Sequence, residues 1–163
     1  MKEVMAMYLD KVKEQLKELK LASPSEFLPC SQDEVVLLEQ QFGVSLPKAY
    51  QEFLLWMGHG AGQFLRGSDS FFKHLPDLQE WAVELLQENN FPEFLPKDAF
   101  VFLMHQGYQF SFFRLSEGDD PPTYFYAEGT NQTSFIKSHE RFSDFLATEV
   151  ELHAKYLKAF ARQ

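Results

Sequence analysis

The stretch Ser31–Gly60, SQDEVVLLEQQFGVSLPKAYQEFLLWMGHG, specifies two helices, both of their ends and the turn between them. Ser31 followed by Glu34 is a capping-box pattern, in which the serine oxygen takes the Glu34 N–H and the Glu34 carboxylate takes the Ser31 N–H. Val35, Leu38 and Phe42 then recur at helical spacing, and Gly43 stands where a left-handed C-terminal cap belongs. Pro47 suits the first turn of a second helix, because its φ is already helical and its missing N–H would be unpaired there. Tyr50, Phe53, Leu54 and Met57 give that helix an apolar face, and Gly58 ends it. Two short amphipathic helices cannot bury their faces by themselves, so the rest of the chain has to supply the cover.

Residues 3 to 20 read as a further amphipathic helix with Met5, Leu9, Val12, Leu16 and Leu19 on one stripe. It either packs onto the domain or grips a second copy. Ser23-Pro24 stops it, and Ala22–Cys30 is a linker from which Phe27 and Leu28 turn into the core. The expected organisation is an N-terminal helix, residues 1–22, and one domain, residues 23–163. Gly58-x-Gly60-x-Gly62 follows a helix and lacks the Lys-Ser/Thr of a phosphate loop, so it reads as a turn leading to a short strand. Leu75-Pro76-Asp77 opens a helix running to about Asn89, with Leu78, Trp81, Ala82, Leu85 and Leu86 as its buried face.

From Phe100 the period changes. The segments FVFLM, YQFSFFRL, TYFYAE and TSFIKS are β-prone and separated by turns at His105-Gln106-Gly107, Glu117–Pro122 and Gly129–Gln132. They predict an antiparallel meander of about four strands or more, with one face covered. A last helix, about Arg141 to Arg162, offers Phe142, Phe145, Leu146, Leu152, Tyr156, Leu157 and Phe160. Helices, then strands, then a helix imply the α+β class.

At 163 residues the chain is long enough to bury a sizeable core, and 18 phenylalanines enlarge its apolar payload. No run reaches the roughly 20 apolar residues of a membrane helix, and the charged N-terminus lacks the apolar region of a signal peptide. A single cysteine, Cys30, excludes an internal disulfide and a multi-thiolate metal site. The cytoplasm is the expected compartment. The net charge of −9 is uneven: residues 69 to 128 hold 11 acidic and three basic side chains. Such a surface repels phosphate backbones and anionic lipid and attracts cationic partners. Direct nucleic-acid and membrane binding are therefore disfavoured.

An acid-led helix ending in Phe-Gly, then Leu-Pro-x-x-Tyr-x-x-Phe-Leu and a Gly-rich exit, resembles the signature of the SUKH superfamily. The matching residues are Glu39, Phe42, Gly43, Leu46, Pro47, Tyr50, Phe53, Leu54, Gly58 and Gly60. Phe100–Leu115, Asp120–Pro122 and Phe142, Phe145 and Leu146 extend the likeness over roughly residues 27 to 150. That group includes fungal SMI/KNR-type regulators of cell-wall glucan synthesis and bacterial immunity proteins of polymorphic toxin systems. The resemblance implies a single SUKH-like domain whose motif residues are architectural and which binds a protein partner without catalysis.

Function has to come from residues outside that motif. Asp77, Glu80, Glu84 and Glu88 fall on one side of their helix at about 100° per residue, and no Lys or Arg occurs between Leu75 and Pro96. Like charges at i,i+4 destabilise a helix slightly. The stripe is either a solvated face of an acidic protein or an anionic face that meets a basic partner. Glu117, Asp119 and Asp120 on a hairpin tip form a second anionic cluster, in a place where turns favour Asp anyway.

The five histidines, His59, His74, His105, His139 and His153, show no i,i+4 pair and no His-Glu-x-x-His, so no metal or cofactor is expected. His105 and His139 fall in expected turns. Cys30, ahead of a helix cap, reads as a small buried hydrophobe and not as a nucleophile. The preferred reading is an immunity protein that neutralises a cognate toxin of basic, nuclease type, itself a monomer or weak homodimer. The alternatives are a regulatory scaffold like the cell-wall regulators, or a small hydrolase or transferase using a His/acid pair in a groove of the sheet.

Overall fold

In the computed structural model, which describes residues 8–21 and 23–161, the capping box forms as the sequence sets it out. Ser31 Oγ accepts the Glu34 N–H at 3.1 Å, and the Glu34 carboxylate accepts the Ser31 N–H at 2.9 Å. Helix α2 (Gln32–Phe42) starts there and ends at Gly43, whose φ of 63° is left-handed. Helix α3 (Lys48–Met57) follows directly after Pro47. Ahead of the pair lie α1 (Asp10–Glu18) and a two-residue strand, β1 (Phe27–Leu28), which pairs with β2 (Gly60–Ala61). Met5, Ala22 and Arg162, assigned above to the terminal helices and the linker, lie outside the described residues.

After β2 come β3 (Ser68–Asp69), α4 (Leu75–Glu88), β4 (Ala99–His105), β5 (Gln109–Arg114), β6 (Thr123–Ala127), β7 (Ile136–His139) and α5 (Phe142–Ala161). Strands β3 to β7 form one antiparallel sheet in sequence order, so the fold is the expected α+β meander. His105 and His139 close strands β4 and β7 instead of lying in turns.

The sheet is covered on both faces. On the first face Phe100, Phe102 and Phe113 meet Tyr50 of α3 and Phe142 of α5. On the second, Phe112 packs on Phe135, Phe110 packs on Tyr126, and Phe91 packs on both Phe135 and Tyr126. A bulge makes this possible: the β4–β5 register shifts between Val101 and Leu103. Phe102 stacks on Phe113 at 5.2 Å, while Leu103 lines a groove beside Phe145 of α5. Two consecutive side chains therefore reach the α5 face, which is why FVFLM shows no alternation.

Tyr50 is fully buried, with Phe53, Phe100, Phe102, Phe113 and Phe142 all between 5.1 and 6.4 Å of its ring. Leu9, Val12 and Leu16 of α1 join the same core. Several residues read as buried are not: Leu19, Leu28, Trp81, Leu152, Tyr156 and Phe160 are exposed. Leu152, Tyr156 and Phe160 belong to the last three turns of α5, beyond Val150, the last residue of that helix in the core.

Three acidic side chains supply caps across the fold. Glu52 of α3 accepts the Leu9 N–H at 2.9 Å and the Tyr8 N–H at 3.1 Å, at the start of α1. Asp120 accepts Ser143 N–H at 2.9 Å and Ser143 Oγ–H at 2.6 Å, in the first turn of α5. Glu39 accepts Leu46 N–H at 2.7 Å and so fixes the α2–α3 turn. The Glu52 and Asp120 bonds satisfy donors at helix starts from residues remote in the chain.

The Tyr50 hydroxyl is buried with no hydrogen-bond partner among the described residues. An unsatisfied buried hydroxyl costs about 1–3 kcal/mol, while the ring carries the packing. Tyr50→Phe is expected to raise stability by about 1 kcal/mol, whereas Tyr50→Ala loses about 3–5 kcal/mol. Urea midpoints at an unchanged m-value measure both.

Candidate functional site

Helix α4 divides its residues between the sheet and solvent. Leu75, Leu78, Ala82, Leu85 and Leu86 are buried. Gln79 locks the helix to the edge of β4: its Nε2 donates to the Val101 carbonyl at 2.7 Å and its Oε1 accepts Val101 N–H at 2.9 Å. The amide continues the ladder where β3 is too short to pair. On the other side Asp77, Glu80, Glu84 and Glu88 are exposed. Among the described residues the ion pairs involve other carboxylates, and none reaches these four.

Trp81, expected in the core, is 38 % exposed beside that stripe. It lines a groove of about 220 Å³ with Asp69, Glu84, Leu85, Glu88, Met104 and Gly107. The reason is local: β3 has only two residues and Gly107 no side chain, so nothing covers the indole. Trp56 differs, since Lys13 Nζ stands 5.3 Å from its ring centroid. No cation of the described residues stands over Trp81.

The hairpin-tip acids have work inside the fold. Glu117 accepts the Tyr124 hydroxyl at 3.0 Å and lies 4.0 Å from Arg114. The Asp119 carbonyl accepts Ala49 N–H at 2.9 Å, and its carboxylate lies 4.0 Å from Lys48. Asp120 caps α5, as described above. Arg114 is held mainly by Asp98 at 2.9 Å, and hydrogen bonds from Ser116 and Arg114 keep the Asp98 carboxyl below its usual range.

A larger groove of about 660 Å³ opens between α5 and the sheet, lined among others by Ser68, His105, Ser111, Glu149 and His153. His105 Nδ1 bonds Ser68 Oγ at 2.9 Å. Burial raises the Glu149 carboxyl and lowers the His153 imidazole, whose Nε2 has no hydrogen-bond partner among the described residues. His139 is likewise lowered by burial; Thr148 Oγ1 lies 3.1 Å from its Nε2 and Ser138 Oγ 3.1 Å from its Nδ1.

A third grouping was not foreseen from the sequence. The tertiary structure brings Cys30, Glu34 and His59 together, with one donor atom from each within 4.8 Å of the others. His59 Nε2 lies 2.8 Å from Glu34 Oε2. The thiol is pushed up to about 12, first by burial and then by the Glu34 charge. Glu34 is held below its ordinary value, first by the Ser31 N–H and then by His59. The i,i+4 spacing of Cys30 and Glu34 was a visible signal; the approach of His59 was not.

A helical hairpin on an aromatic meander defines a small α+β domain. The model of the SMI1 / KNR4 family (SUKH-1) matches residues 29–148, and the chain belongs to that family. Its members are known generally as immunity proteins or regulators, generally non-enzymatic, that act through protein partners. A comparison with curated proteins gives no match. No helix of the described residues is long and apolar enough to cross a membrane.

The lowered histidines set a pH dependence. Folded His139 and His153 take up a proton less readily than the ordinary value of 6.5. The unfolded chain then binds more protons just below that value, so stability present above it is lost as pH falls. Glu149, raised by burial, acts with the opposite sign but nearer the carboxylate range. Urea midpoints are expected to decline from about pH 7.5 to about pH 6, with a shallower decline in His139→Gln.

Proposed function

We propose that the protein is a non-catalytic immunity protein that binds and neutralises a cognate toxin of basic, nuclease type. The observation that carries this reading is the α4 face, where Asp77, Glu80, Glu84 and Glu88 stay exposed and unpaired within the described residues. Stacked like charges destabilise a helix by a few tenths of a kcal/mol per pair, so the arrangement is explained better by a partner than by folding. A nuclease has to be basic to hold phosphates. An acidic inhibitor occupies the same surface, excludes the nucleic acid, and is captured faster because the two fields attract.

Trp81 adds an attachment point within the stripe. An arginine or lysine of the partner can lie on the indole face while Glu84 and Glu88 neutralise its charge. Glu117, Asp119 and Asp120 strengthen the field, but their contacts already serve the fold. The protein acts in the cytoplasm, as a monomer or weak homodimer.

The test is capture against a panel of basic nuclease domains at low and high salt. Charge reversal at Glu80→Lys and Glu84→Lys together is expected to weaken binding by about tenfold or more at low salt. Asp120→Ala is expected to lower stability by about 1 kcal/mol while leaving capture intact. Capture indifferent to the double reversal removes this face from the interface.

A second reading, a small hydrolase or transferase, is favoured by one feature: His105, His153 and Glu149 all line the α5 groove. It requires turnover that disappears in both His153→Ala and Glu149→Gln. Under the preferred reading, ester and phosphoester panels show no turnover above the blank.

A further inference from the structure

We propose that Cys30, Glu34 and His59 form a zinc site with one coordination position open to solvent. It lies outside the α4 face and does not rest on the partner reading. The three donors are a thiol sulfur, a carboxylate oxygen and an imidazole nitrogen, all within 4.8 Å of one another. Zinc ligands at about 2.0–2.3 Å in a tetrahedron stand roughly 3.3–3.7 Å apart. The 2.8 Å His59–Glu34 contact has to widen slightly, and no separation, all being within 4.8 Å, has to close by more than about 1.5 Å. Side-chain rotation supplies both.

The backbone beneath the donors is already fixed. Cys30 N–H donates to the Leu54 carbonyl at 2.9 Å, and His59 N–H donates to the Leu28 carbonyl at 2.8 Å. The β1–β2 pairing of Leu28 with Gly60 holds the same two segments together. Gly58 makes the approach possible: a Cβ there would lie 2.3 Å from the Cys30 sulfur. Glu34 is positioned by the capping box, whose Ser31 bond uses Oε1 and leaves Oε2 facing His59. Little ordering therefore remains to be done when a metal arrives.

The donor set selects the metal. Calcium and magnesium take oxygen ligands, whereas one sulfur, one nitrogen and one oxygen suit zinc. Cys30 is buried, while the side chains of His59 and Glu34 are 37 % and 34 % exposed. The sulfur thus forms the floor of the site and the fourth position faces outward, available to water or to a donor from a bound molecule. On binding, the thiol proton leaves to solvent and the thiolate takes its place on the metal.

The full chain, stripped with a chelator and kept reduced by a phosphine, is titrated with cobalt(II) and then zinc. The sequence has one cysteine, so a thiolate-to-cobalt charge-transfer band can arise only from Cys30. The expected result is a one-to-one cobalt complex with that band, displaced by zinc, and a zinc-dependent rise in Tm reversed by chelator. Loss of outer-shell partners alone costs roughly 10–100-fold in metal affinity, so Cys30→Ser and His59→Gln each are expected to weaken zinc by more than about 100-fold. Glu34→Gln, which keeps the helix cap, is expected to weaken it by at least about tenfold. Absence of the sulfur band at saturating cobalt, or zinc affinity in His59→Gln within about twofold of the parent, overturns the proposal.

Discussion

The packing of aromatic rings around Tyr50 is the contact set on which the other elements depend. Phe53 of its own helix, Phe100, Phe102 and Phe113 of the sheet and Phe142 of α5 all reach it. A ring in the first turn of α3 is thereby the meeting point of a helical hairpin, a sheet face and the C-terminal helix. Most of these neighbours approach edge-on or tilted, the arrangement that aromatic quadrupoles favour. The bulge at Phe102 belongs to the same device, since it turns an additional side chain towards α5 without breaking the sheet.

Carboxylates then tie the ends of the elements to that frame. Glu52 and Asp120 accept backbone N–H groups far from them in sequence and so hold α1 and α5, while Glu39 accepts the Leu46 N–H and holds the α2–α3 turn. The matched family residues Glu39, Leu46, Pro47, Tyr50 and Gly58 fall into place physically. The first fixes the turn, Tyr50 centres the core, and Gly58 admits the Cys30 sulfur. None of these roles needs a ligand, which is why the motif identifies a fold and leaves the partner to other residues.

The acidic side chains therefore divide by environment and not by type. Glu117, Asp119 and Asp120 are engaged by contacts inside the fold, whereas Asp77, Glu80, Glu84 and Glu88 are exposed and unpaired within the described residues. Seven acids singled out by charge and spacing thus separate into a structural group and an available group. Trp81 joins the second because the sheet edge beneath it ends early. Its spacing alone fits a core residue, since position 81 lies one turn from both buried Leu78 and buried Leu85.

The sequence by itself determined the helical hairpin with its caps, the change to a meander at Phe100, and the acidic side of α4. Each is set by signals within a turn or two: a capping box, a left-handed glycine, a period of two or of 3.6 residues. Only the tertiary structure decided which carboxylates are used up by distant N–H groups, which apolar residues stay uncovered, and that His59 meets Cys30 and Glu34. Those outcomes depend on where strands stop and which segments cross. Contacts between residues remote in the chain leave no periodicity behind, so no local pattern records them.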